Sequence, residues 1–152
     1  MKNVLMWTVV AGLLAPGMPG VAFAADDADR CGVQTLRGRY VFSASGFMIN
    51  PASGVVQPKA IVEVIDFNGD GTLAVPAATR SVNGTITRSL PSIGTYTVAE
   101  DCVGTIAFDG PAFDIFISPR GNQLWLIQTN PNNVFEGSAT RTSREPGDRD
   151  PR

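Results

Sequence analysis

The chain predicts an all-β domain: an antiparallel up-and-down barrel of about eight strands, with a two-sheet β-sandwich as the alternative. Three observations carry that reading. Apolar and polar residues alternate with period two through most of the chain after Ala25. Turn-forming pairs of Gly, Pro, Asn and Asp separate these runs at hairpin lengths. No segment after Ala25 carries a helical stripe.

The first strand phrase is Leu36-Arg37-Gly38-Arg39-Tyr40-Val41-Phe42, in which Tyr40, Phe42 and Ala44 face one way and Val41, Ser43 and Ser45 the other. Residues 47–57 form a Gly/Pro/Ser/Asn-rich connection, and 60–67 the next strand. Asn68-Gly69-Asp70-Gly71 turns it back into 72–75, and Pro76 ends that strand. Residues 81–90 follow, with a bulge or turn at Asn83-Gly84. Strands are then expected over 94–99, 103–108, 113–117, 123–129 and 134–141, separated by Glu100-Asp101, Asp109-Gly110-Pro111, Pro119-Arg120-Gly121-Asn122 and Asn130-Pro131-Asn132-Asn133.

Short sequential turns favour antiparallel neighbours, whereas a sandwich with long crossovers needs longer connections. Residues 60–65 and 113–117 are apolar on both faces. That pattern fits a small closed barrel with a filled interior whose outside is partly covered by loops.

The first 24 residues read as a cleaved signal peptide. Lys2 gives a positive start, Val4 to Leu14 an apolar stretch, and Ala22-Phe23-Ala24 a small-x-small cleavage site. The stretch falls short of the about 20 residues a membrane span needs. Domain organisation is therefore expected as a signal over 1–24, one barrel domain over 25–141, and a polar, proline-broken disordered tail over 142–152. The expected location is periplasmic or extracellular, with no membrane span.

Removal of the leader leaves 128 residues, enough to bury a core, and moves the formal net charge from −2 to −3. Lys59 is then the single lysine, beside ten dispersed arginines, so no basic stripe marks a nucleic-acid partner. The chain has no histidine, which excludes Ser-His-Asp and Cys-His mechanisms within it. Two cysteines without histidine cannot assemble a four-ligand thiolate-imidazole zinc site. No cofactor, metal or catalytic residue is expected. In an exported chain the two cysteines, Cys31 and Cys102, read as a disulfide rather than a redox pair, which would show Cys-x-x-Cys spacing.

The order Cys31…Leu36-x-Gly38-x-Tyr40-x-Phe42, Phe67-Asn68-Gly69-Asp70-Gly71, Gly94-x-Tyr96-x-Val98-x-x-Asp101-Cys102-x-Gly104-Thr105 and Phe135-x-Gly137-x-Ala139-x-Arg141 resembles a group of uncharacterised exported bacterial all-β proteins. That group is similar to calycin-type barrels, the architecture of lipocalins and of allene oxide cyclase. Tyr40 stands where lipocalins carry the Trp of a Gly-x-Trp motif. The resemblance implies a calycin-like fold, and ligand binding by fold analogy alone.

Several residues are candidates for chemistry. Glu63 lies between Ile61 and Ile65 on one strand face, and Asp114 shares a face with Phe116. Carboxylates among apolar neighbours either line a lumen with raised pKa values or lie solvated on an outer face. Trp125, Phe108, Phe113, Phe116 and Phe135 either line an apolar pocket or fill the interior. Arg37 and Arg39 flank Gly38 as an anion-recognising pair or a solvated face. Asp66-Phe67-Asn68-Gly69-Asp70-Gly71 matches half a calcium loop, but the twelfth position is Ala77, so a hairpin turn is the simpler reading.

Together these features give an exported, non-enzymatic barrel that binds a small apolar or amphipathic molecule. The alternatives are a structural or surface-associated protein with a filled core and, more remotely, a histidine-free isomerase or cyclase.

Overall fold

The structure is a computed structural model that describes residues 30–89 and 91–145. A short 3₁₀ turn, Val33–Thr35, precedes nine strands. These are β1 (Arg37–Ile49), β2 (Val56–Asn68), β3 (Thr72–Val82), β4 (Thr85–Ser89), β5 (Ser92–Val98), β6 (Val103–Phe108), β7 (Ala112–Ile117), β8 (Gln123–Gln128) and β9 (Asn133–Ser143). Eight of them close an antiparallel up-and-down barrel, because β1 pairs with both β2 and β9 and β3 pairs with both β2 and β5. The extra strand, β4, extends the sheet from the second half of β3. The barrel reading holds over the sandwich. No helix among the described residues is long and apolar enough to cross a membrane.

Alternation sets the inside. Tyr40, Phe42 and Ala44 are buried on β1, as their period-two spacing requires, and they face Ile65, Glu63 and Ile61 of β2. Ile115, Leu124, Leu126 and Ala139 complete the inner wall on β7, β8 and β9.

The phase breaks once in β3. Between Val64 and Asp66 the β2–β3 register shifts, so that Ala77 faces Val64 and Ala74 faces Asp66. One extra residue on β3 is a β-bulge, and it exchanges the two faces of the strand. Leu73 and Val75 are buried before it, whereas Ala78 and Arg80 oppose the inner residues Glu63 and Ile61 after it. Pro76 sits at this bulge, where β3 also changes partner from β5 to β4. The expectation that Pro76 ends the strand is corrected: a residue without an N–H is accommodated where the ladder is already interrupted.

Asn83-Gly84 is the two-residue β3–β4 turn, with φ of 49° and 84° at its two positions. The connection expected over 47–57 is shorter, because β1 and β2 pair out to Ile49 and Val56. The last strand ends at Ser143, two residues beyond the expected domain boundary at 141. The expected leader, 1–24, and the tail from 146 lie outside the described residues.

One end of the barrel is sealed. Phe67 packs edge-on against both Tyr40 and Tyr96, at centroid distances of 5.0 Å. The Tyr96 hydroxyl lies 2.8 Å from the carbonyls of Val33 and Leu36, and so ties the 3₁₀ turn across this base. Tyr40 donates to the Gly121 carbonyl and accepts from Arg141 Nε at 2.9 Å. Burial pushes the Tyr40 phenol up, against the opposing pull of Arg141, so it stays protonated and remains a donor. A disulfide joins Cys31 to Cys102 across 71 positions, anchoring the N-terminal lead to the β5–β6 turn. The bond is consistent with an oxidising, exported location.

The outer face is less covered than expected. Val62 and Phe116 are more than half exposed. Ala60, Val62 and Phe116 therefore face solvent, whereas Val64 is half-buried.

Candidate ligand site at the open end of the barrel

The end opposite the aromatic base holds a cavity of about 540 Å³. Its apolar wall comes from Phe42 on β1, Ile61 on β2, Phe108 and Phe113 across the β6–β7 turn, and Phe135 on β9. Phe108 and Phe113 meet edge-on at 6.3 Å, which fixes one side of the cup. Pro91 and Pro111 belong to its rim.

Glu63 lies on the inner wall because it pairs opposite Phe42. Removal from water raises its carboxyl to about 7. No lysine or arginine among the described residues forms an ion pair with it. Arg80 lines the same cavity, brought to the inner face by the bulge at Pro76.

Lys59 crosses nearby. Its Nζ donates to Gln128 Oε1 at 2.7 Å and Asn133 Oδ1 at 3.1 Å, and stands 3.9 Å from the Phe135 ring centroid. Burial, and then the charge of Arg80, push its ammonium down. Gly46 is its β1 neighbour, and a Cβ there would lie 2.0 Å from the Val134 carbonyl, so β1 and β9 come close where Lys59 passes.

The candidates separate cleanly by face. Glu63, Phe108, Phe113 and Phe135 line the cavity. Asp114, Phe116 and Trp125 do not: all three are exposed on the outer face, with Phe116 directly opposite Trp125 in the β7–β8 register. The lumen therefore holds one of the two candidate carboxylates. Phe42, Ile61 and Arg80 were missed as site residues. Phe42 and Ile61 follow from the Tyr40 alternation once register is known, while Arg80 needs the bulge.

The remaining motifs are structural. Asp66 is held by Arg39 in a bidentate pair, with both contacts at 2.8 Å. Asp70 accepts from the Thr72 amide at 2.9 Å and the Thr72 hydroxyl at 2.6 Å. Both carboxylates of the half-matched calcium loop are thus engaged within the β2–β3 hairpin and its neighbour strand.

Chemically the site offers an aromatic cup, one carboxyl that changes charge near neutral pH and, at the edge, a second carboxylate, Asp109, and one arginine. No protein-family model matches the chain, and no curated protein matches it either.

Proposed function

We propose that this protein is an exported, non-enzymatic barrel that binds a small apolar or amphipathic molecule in the open half of its lumen. The cavity carries the proposal. About 540 Å³ bounded by Phe42, Phe108, Phe113 and Phe135 falls within the range of small-molecule sites, roughly 300–1,000 Å³. The aromatic base around Tyr40, Phe67 and Tyr96 closes one end, and the cavity opens beyond Phe42, Phe113 and Phe135 at the other. Phe42, Phe113 and Phe135 are buried yet bound the cavity, so a ligand there meets an apolar floor beside the Glu63 carboxyl. Glu63 and Arg80 suit a polar group on the ligand. Kinship with calycin-type barrels belongs to the same proposal, and the closed, one-end-plugged barrel is in keeping with it.

A second reading is favoured by one observation. Glu63 faces inward with a carboxyl near 7, as a single-carboxylate proton-transfer catalyst requires. It places Glu63 as the acid-base group of a histidine-free isomerase.

Titration with a fluorescent apolar probe tests the binding proposal. Saturable binding to the native protein is expected, with at least tenfold weaker binding to Ile61→Trp, which fills the cavity. Equal binding by both, with the fold of the variant intact, overturns it.

A further inference from the structure

The sealed end of the barrel carries a second cavity, of about 530 Å³, whose character is opposite to the first. Arg37, Arg120, Arg141 and Arg144 line it, together with the side chains of Gln34 and Asn122. Four of the ten arginines of an acidic chain, with an isoelectric point near 5.0, thus share one cleft. They come from the start of β1, the β7–β8 turn and the end of β9, and meet because the barrel closes β9 onto β1.

No carboxylate lines the cleft. Among the described residues the ion pairs are Arg39 with Asp66 and Arg30 with Glu100, so Arg37, Arg120, Arg141 and Arg144 are left without an acidic partner there. Glu145 adjoins Arg144 in sequence but does not line the cavity. The four guanidiniums make the cleft positive, so it draws anions.

One of the four is held in place by its surroundings. Arg141 donates from Nε to the Tyr40 hydroxyl at 2.9 Å and from Nη2 to the Thr35 carbonyl at 2.8 Å, which leaves Nη1 without a partner among the described residues. Guanidinium forks match phosphate oxygens in pairs, and the Gln34 and Asn122 amides add neutral donors. A single carboxylate would leave most of these charges unmatched.

We propose that this cleft binds a multiply charged, phosphate-bearing anion. The group belongs either to a soluble molecule or to a lipid headgroup, and the site does not depend on the ligand of the open end.

Calorimetric titration of the full, disulfide-bonded protein with inorganic pyrophosphate is the test. Saturable binding is expected, weakening as salt is raised. The Arg37→Gln/Arg120→Gln double variant should bind at least tenfold more weakly, with its thermal midpoint unchanged. In a second measurement, the side-chain amide resonances of Gln34 and Asn122 should shift on pyrophosphate addition, a readout that needs no variant to fold. Vesicles containing phosphatidic acid, compared with phosphatidylcholine alone, form the other arm. Capture by the acidic vesicles that pyrophosphate reverses assigns the headgroup, and pyrophosphate binding without capture assigns a soluble anion. Absence of binding in both arms overturns the proposal, as does undiminished binding by the double variant. Equal affinity for citrate, a tricarboxylate, overturns the phosphate assignment.

Discussion

Tyr40 and Tyr96 both pack edge-on against Phe67, and each hydroxyl reaches a backbone carbonyl outside the eight barrel strands. The two similar Gly-x-Tyr phrases thus do the same job from different strands: they close one end. Their consequences differ. Tyr40 serves both the Gly121 carbonyl and Arg141 Nε, whereas Tyr96 serves Val33 and Leu36 with its single proton. Tyr40→Phe should cost about 2–3 kcal/mol and Tyr96→Phe about 1–2 kcal/mol in urea unfolding, since a charged donor is orphaned only in the first. Equal, negligible losses contradict this division.

The disulfide closes a long loop between the N-terminal lead and the β5–β6 turn. A Cys31→Ser/Cys102→Ser variant should lose about 3–4 kcal/mol, the value expected for a loop of this length before native strain is considered. The loss should concentrate at the base, so amide exchange near Val33 and Leu36 should accelerate before that of β7 and β8. An unchanged denaturation midpoint after reduction contradicts it.

Glu63 makes stability depend on pH in the direction opposite to a paired carboxylate. Its folded-state value, about 7, lies above the ordinary 4.5, so the folded state binds the proton more tightly than the unfolded chain. Stability from this group is full below about 4.5, falls as pH rises, and is lost above about 7. Glu63→Gln should therefore raise stability at pH 8 by about 2–3 kcal/mol and change it little at pH 4.5. Unfolding curves at the two pH values decide this, and a gain of equal size at both would refute the burial argument.

Pro76 marks the extra residue of the β3 bulge. Pro76→Ala keeps the residue count and should change stability by less than about 1 kcal/mol. Deletion of Pro76 alone removes the extra residue and leaves Ala78 and Arg80 opposite Glu63 and Ile61 in a regular ladder. Deletion of Pro76 and Ala77 together shifts the phase, turns Arg80 outward and misplaces Ala78 and Val82, so the double deletion should cost more than about 3 kcal/mol or prevent folding. Similar unfolding midpoints for the single and the double deletion argue against this register as what turns Arg80 inward.

Much of this architecture was legible in the residues. Alternation from Tyr40 to Ala44, the Asn-Gly and Asp-Gly turns and the cysteine pair led to the strands, the hairpins and the closed barrel. Orientation was harder. Where both faces of a strand are apolar, as around Phe113 and Phe116, period two separates the faces without saying which is inside. Trp125 and Phe116 were grouped with Phe113, yet they sit opposite one another on the solvent side. Arg80 was hidden for another reason. Its inward position depends on one inserted residue, and Pro76 read as a stop because a proline usually interrupts a ladder. The basic cleft was invisible for a third: Arg37, Arg120 and Arg141 are far apart in sequence and meet through barrel closure alone.

Native mass spectrometry of the disulfide-bonded protein bears most directly on the open end of the lumen. The expected spectrum shows the protein with one added small molecule, which organic extraction removes and which Ile61→Trp does not carry. A bare protein mass in every preparation, together with no apolar probe taken up after extraction, contradicts a binding role for the cavity.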